Sequence, residues 1–174
     1  MKPIGAYVDE CRRSSIEEFC ERNRHPFLLH SVLTGSLIPT NATRGVTLDR
    51  LVLGDDFSKA RSRTARQEEA YSVFELLPRN PKDRRISVGC SSTCDIQIND
   101  KSVSTLHAYL EKKDDRYLIQ DNNSAAGTQV NDEVLETGVE KEIASGDRLT
   151  LGFVDLVFVM PADFHQFIRR FFGL

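Results

Sequence analysis

Two groups of side chains in this sequence have types and spacings that could do chemistry. Ser104-x-x-His107, completed by an aspartate, sketches an acid–base triad. No nucleophile elbow or oxyanion motif accompanies it, so the spacing does not support catalysis. Cys90 and Cys94, with His107 recruited from elsewhere in the fold, could be drawn as metal ligands. Their spacing is one residue wider than Cys-x-x-Cys, and no further His/Cys pair follows at ligand distance. Free thiols in a reducing compartment fit the four cysteines (Cys11, Cys20, Cys90 and Cys94) better. No metal and no cofactor is expected.

The remaining candidates are turn residues, and the elements that must hold them are short. From Tyr71 onward, short segments recur at close intervals: Ser72 to Leu77, Arg85 to Val88, Asp95 to Ile98 and His107 to Glu111, which alternate, then Arg116 to Gln120, Leu149 to Leu151 and the apolar run Leu156 to Val159. Short strands with turn residues every eight to twelve positions predict a mainly β chain, an antiparallel sandwich or barrel. Ahead of it, Ser15-Ile16-Glu17-Glu18 predicts a capped helix. Val8, Cys11, Ile16, Phe19 and Cys20 lie at helical spacing, and His25-Pro26 ends the helix. Apolar runs Phe27 to Leu33 and Val46 to Leu53 read as short strands or buried segments.

These patterns divide the chain into an N-terminal α/β extension (1–54), a charged linker (55–69), a β-sandwich (70–160) and a C-terminal helix (161–174). In that helix Phe164, Phe167, Ile168, Phe171 and Phe172 form an apolar stripe, with His165, Gln166, Arg169 and Arg170 opposite. The stripe could meet a membrane surface or a partner; the expectation is that it docks on the sandwich or the N-terminal unit, because the helix is short.

Composition narrows the function. The chain has 174 residues and a net charge of −3, which argues against general nucleic-acid affinity. No apolar run approaches the roughly 18 residues of a membrane span. Met1-Lys2-Pro3-Ile4-Gly5-Ala6 lacks the apolar stretch of a secretory signal, so a cytoplasmic address is expected.

Taken together, the turn motifs point further. Gly89-Cys90-Ser91, Cys94-Asp95-Ile96 and Val103-Ser104-x-x-His107 are followed by Asp121-x-x-Ser124-x-x-Gly127-Thr128-x-Val130-Asn131. Last comes Gly146-Asp147-Arg148-Leu149-x-Leu151-Gly152. In order and spacing this resembles the forkhead-associated (FHA) domain, over about residues 71–160. The resemblance implies a two-sheet antiparallel FHA-type β-sandwich that binds phosphothreonine peptides at the loops of one end, as a protein-interaction module in signalling and not an enzyme. Capturing a phosphate dianion needs convergent donors: a hydroxyl, backbone N–H groups and ideally an arginine fork. By resemblance, Ser104 donates to the phosphate and His107 braces its loop. Gly89 permits the tight first turn, while Gly127, Thr128 and Asn131 shape the third loop. Ser91, Lys101 and Thr105 fall on the same loops as candidate peptide contacts.

The departures are concentrated among the ligand contacts. Cys90 stands where the family has arginine, Thr105 and Leu106 replace residues that are often basic, and Ala126 replaces an asparagine that holds the peptide backbone. A lost charged hydrogen bond costs about 1.5–3 kcal/mol. Two readings of different kind follow: a phosphothreonine reader with rebuilt contacts, and a phospho-independent scaffold or oligomerisation domain using other surfaces. Finally, Arg61-Ser62-Arg63-Thr64 resembles a site for a kinase preferring basic residues; phosphorylated Thr64 could then dock on this domain. A solvated basic segment is the plainer reading.

Overall fold

A computed structural model describes residues 2–31 and 71–174 of the chain. The run Val46 to Leu53, the expected linker 55–69 and Thr64 lie outside the described residues. The chain divides into two compact units, one from residues 1–75 and 159–174, the other from residues 76–158.

The first unit, here the terminal unit, joins both ends of the chain. Strand β1 (Lys2–Pro3) leads into helix α1 (Gly5–Arg13), helix α2 (Ile16–Arg22) and strand β2 (Phe27–Ser31). Strand β3 (Tyr71–Glu75) lies between β1 and β2, antiparallel to both. Helix α3 (Pro161–Phe172) completes the unit. The apolar periodicity from Val8 to Cys20 belongs to two helices. Ser15 separates them because its hydroxyl accepts from Glu18 N–H while the Glu18 carboxylate accepts from Ser15 N–H. That reciprocal pair starts a new helix instead of continuing the old one.

Helix α3 begins with Pro161 in its first turn and stops at Gly173, whose φ of +67° is the left-handed cap that favours glycine. Phe164, Phe167, Ile168 and Phe171 are buried, and α3 packs on α1 and α2. The stripe is therefore used inside the unit. Phe164 meets Phe27 at 4.4 Å between ring centroids, with Tyr7 edge-on at 5.2 Å and Phe19 at 6.1 Å. These separations are about those that aromatic pairs favour. His165, expected on the solvent side, is buried. Its Nε2 lies 3.3 Å from the Ser14 carbonyl and its ring 5.3 Å from Phe19. Two helices pack on α3, so the covered arc is wider than an apolar stripe alone indicates.

The second unit is the sandwich. Its strands are β4 (Arg85–Gly89), β5 (Ile96–Gln97), β6 (Ala108–Lys113), β7 (Arg116–Asp121), β8 (Thr128–Val130), β9 (Glu133–Val134), β10 (Glu140–Ile143), β11 (Arg148–Leu151) and β12 (Val154–Val159). One sheet runs β10-β7-β6-β4-β5, with only β4 and β5 parallel. In the other, β12-β11-β8-β9 are antiparallel neighbours. Alternation buries Ile86 and Val88 on β4, Leu110 on β6, Ile119 on β7, and Leu149 and Leu151 on β11. Burial of these side chains, at about 25 cal/mol per Å² of apolar surface, makes a frame stiff enough to hold loops at its end.

Candidate functional site

Strand directions bring three connections to one end of the sandwich: Cys90 to Asp95 after β4, Ile98 to His107 before β6, and Asn122 to Gly127 between β7 and β8. Backbone pairing joins the first two. Cys90 N–H donates to the Ser104 carbonyl (3.0 Å) and Ser91 N–H to the Thr105 carbonyl (3.2 Å). Gly89 makes that closeness possible, since a Cβ there would stand 2.3 Å from the Thr105 carbonyl oxygen. Only glycine lets the two backbones approach so nearly.

His107 ties the second loop to the third. Its Nδ1 accepts from Ser104 N–H (3.0 Å) and its Nε2 lies 3.1 Å from the Gly127 carbonyl. Because Nδ1 accepts, Nε2 carries the proton and donates; the ring is neutral. Burial, partly opposed by the Gly127 carbonyl and the Asp121 carboxylate, holds its pKa below the ordinary 6.5. Gly127 adopts φ +80° with open space around it, so there the backbone conformation alone calls for glycine.

Asp121 organises the third loop. Its carboxylate accepts from Ser124 N–H (3.1 Å) and Oγ (2.5 Å), Thr128 Oγ1 (2.6 Å) and Thr137 Oγ1 (3.3 Å). Burial pushes its pKa up, but these hydrogen bonds to the charged form outweigh it, and the net shift is below the usual carboxylate value. Asp95 does the same for the first loop, accepting from Ser87 N–H and Oγ and from Arg79 N–H.

At the junction stands Ser104, half-buried, its Oγ accepting from Ala125 N–H at 2.9 Å. A hydroxyl that accepts one hydrogen bond still has its proton to give. Thr105 and Lys101 are exposed on the same loop, and Ala126 is exposed on the third. Ser91 Oγ shares a hydrogen bond with Thr93 Oγ1 at 2.8 Å. Cys90 is half-buried beside them with a free thiol. Cys94 is buried and donates to the Thr105 carbonyl, its pKa raised chiefly by that burial. Asn131 lies beyond the opposite end of β8, where its side chain donates to Asp147 (2.7 Å) and accepts from Arg148 N–H (2.9 Å). It shapes the far turn and does not join the three loops.

Residues 86–152 match the family model of the FHA domain. This stretch of the chain is an FHA domain. Structural similarity extends to a solution structure of the FHA domain of a hypothetical protein from Arabidopsis thaliana, 20% identical, covering 78% of this chain and 86% of that one at a TM-score of 0.49. An FHA domain from Chlamydia trachomatis is 18% identical, covering 77% of this chain and 96% of that one, at 0.48. An N-terminal FHA domain from S. cerevisiae, in complex with a phosphothreonine peptide, is 21% identical, covering 55% and 89%, at 0.45. A comparison with curated proteins finds no match.

Several residues at this end of the sandwich were not singled out by spacing. Ser102 Oγ donates to Asp100 (2.6 Å) and accepts from Phe153 N–H (2.9 Å), linking residues 51 apart. Arg79 reaches the first loop, its Nη1 donating to the Ser92 carbonyl at 2.6 Å. The Ala125 donor is a backbone group and has no signature in residue type. Among the described residues, no group of three His, Cys, Asp or Glu side chains is placed to hold a metal ion, and no helix is long and apolar enough to cross a membrane.

Proposed function

We propose that this FHA domain binds a phosphothreonine-containing peptide at the junction of its three loops, as a signalling adaptor that acts by binding and not by catalysis. The observation carrying this reading is the position of Ser104: its hydroxyl accepts from Ala125 N–H, which leaves its proton for a phosphate oxygen. His107 fixes the backbone beside it at both ring nitrogens. A preorganised donor of this kind binds without the entropic cost of ordering a loop. Positive charge in place of the family arginine would come from exposed Lys101 or from Arg79, whose guanidinium already touches the first loop. Thr105 and Ser91 add hydroxyls on the same rim. The setting proposed is cytoplasmic.

The second reading, a scaffold indifferent to phosphate, is favoured by Cys90 and Ala126, which supply neither the charge nor the amide expected at their positions. One titration separates the two. Fluorescence anisotropy of a degenerate phosphothreonine peptide pool and its unphosphorylated twin is measured on the whole chain and on Ser104→Ala. The reader binds the phosphorylated pool selectively, and Ser104→Ala weakens it about 10- to 100-fold, the loss of one hydrogen bond to a charged group. Absence of phosphate preference at millimolar peptide would leave the scaffold.

A further inference from the structure

The sandwich holds two of the four cysteines, Cys90 and Cys94, both with free thiols and both in the first loop of the site. Their surroundings differ. Cys94 is buried, at 3% of its full exposure, whereas Cys90 is half-buried and meets solvent. Cys94 Sγ donates to the Thr105 carbonyl at 3.2 Å, the carbonyl that also accepts from Ser91 N–H. Cys90 N–H donates to the Ser104 carbonyl, one residue earlier. Both cysteines therefore hold the stretch of backbone that carries the Ser104 hydroxyl.

The same loop brings the two residues near each other. Cys94 N–H donates to the Ser91 carbonyl at 3.2 Å, closing a turn whose ends stand within about 7 Å. Cys94 Sγ lies 3.0 Å from where a Cβ on Gly89 would stand, and Gly89 directly precedes Cys90. The Cys94 pKa is raised by burial first, then by the Asp95 carboxylate and the Cys90 thiolate, so the charge of one sulfur is felt at the other. Cysteines whose Cα atoms approach to about 7 Å can be bridged, and a wider pair needs the backbone to move. Residues 90–95 lie between β4 and β5 and belong to neither strand, so the loop can make that adjustment without breaking the sheet.

We propose that Cys90 and Cys94 are a redox modification site: hydrogen peroxide closes them to a disulfide, which detaches the first loop from the Ser104 loop and lowers affinity for the phosphothreonine peptide. Its effect on affinity rests on the phosphothreonine reading. The Cys90 sulfur attacks one peroxide oxygen and the O–O bond breaks. The departing hydroxide takes up the thiol proton as water, and a sulfenic acid stands at Cys90. The Cys94 sulfur then attacks that of Cys90, the S–O bond breaks, and the hydroxyl leaves with the Cys94 proton as a second water. Two thiols lose two electrons in all, and the peroxide gains them. A disulfide sulfur carries no proton, so the Thr105 carbonyl loses its Cys94 donor. In a reducing compartment such a bond is transient, which suits regulation and not stability.

The test treats the whole chain with hydrogen peroxide and then with dithiothreitol, and reads two quantities. Trypsin, used without reductant, cuts after Arg85 and Lys101 and yields one peptide holding both cysteines. Mass spectrometry should find that peptide lighter by two hydrogens after peroxide and restored by dithiothreitol. Anisotropy of the phosphothreonine pool should show affinity falling about threefold to tenfold on oxidation, the scale of one hydrogen bond, and recovering on reduction. In Cys90→Ser and Cys94→Ser, peroxide should leave each variant's affinity equal to that of its own untreated form. A response that persists in Cys90→Ser overturns the proposal, as does a Cys90 that is oxidised without a bridge or that bridges two chains. A disulfide that forms without changing affinity overturns it too and leaves the phosphothreonine reading intact. Reduced wild type that binds no phosphorylated pool overturns that reading, and the proposed regulation with it, whatever the mass of the peptide.

Discussion

The terminal unit and the loop end of the FHA domain obtain order by opposite means. In the terminal unit, Phe19, Phe27 and Phe164 are almost wholly buried and meet as rings, and the equally buried Phe167 meets the rings of Tyr71 and Phe171. At the loop end, the buried side chains that matter are polar: His107, Asp121 and Thr128, each at 2% exposure or less and each hydrogen-bonded. Apolar packing is non-directional and tolerates approximate fit, whereas a buried hydrogen-bond network fixes position and fails when one member is lost. The first is suited to holding a unit together, the second to holding donors where a ligand will need them.

The largest expected effect tests whether the ring cluster is the foundation of the terminal unit alone. Phe164→Ala removes the ring shared by Tyr7, Phe19 and Phe27 and should cost about 3–5 kcal/mol. Hydrogen exchange should accelerate in α1, α2 and α3 and stay unchanged in β6 and β7. Equal acceleration in both would show one cooperative unit and dissolve the comparison.

Asp121→Ala attacks the other side. It strips the acceptor from Ser124, Thr128 and Thr137, leaving the Thr128 hydroxyl buried without a partner, and should cost about 2–3 kcal/mol. Phosphopeptide affinity should fall as well, since Ala125 follows directly on the loop that Asp121 shapes. Urea unfolding and anisotropy on one sample check both. A variant that is less stable yet binds normally would show that the loop is ordered by something other than this carboxylate.

This difference in construction also decides what could be read from sequence. Strands whose residues alternate, such as β4, β6 and β7, were legible because one face is buried and the other solvated. Strand β10, Glu-Lys-Glu-Ile, and the three-residue β8 were not, because their pairing is fixed by neighbours more than by their own pattern. Helix α3 was legible in its phenylalanines and misleading at His165, where packing by a second helix covered a polar residue. In the site, Ser104, His107 and Gly89 stood out through the family resemblance, Gly89 as the residue of a tight turn, where the structure shows a close approach to the Thr105 backbone. The contacts that complete the site did not. Ala125 contributes a backbone N–H, and Phe153 reaches Ser102 only through folding.

The smallest predicted effect sharpens the comparison through pH. His107 is neutral in the fold, and burial holds its pKa below the 6.5 that an unfolded chain would have. Below that value the unfolded chain takes up a proton that the folded chain refuses, so stability falls as pH falls, from about 6.5 down to the depressed folded pKa. In the terminal unit the half-buried shifted carboxyl is Glu75. Its burial is outweighed by hydrogen bonds from Lys2 and Tyr7, so its pKa lies below the ordinary 4.5 and its contribution is lost only at still lower pH. In mild acid the loop end should therefore weaken before Glu75 does. Urea midpoints recorded from neutral pH down to about 5 should decline for the wild type and decline less for His107→Gln, which cannot titrate there. Parallel slopes in the two proteins would place the acid sensitivity elsewhere. The loop end would then be held by a hydrogen-bond network as indifferent to protons as the rings of the terminal unit.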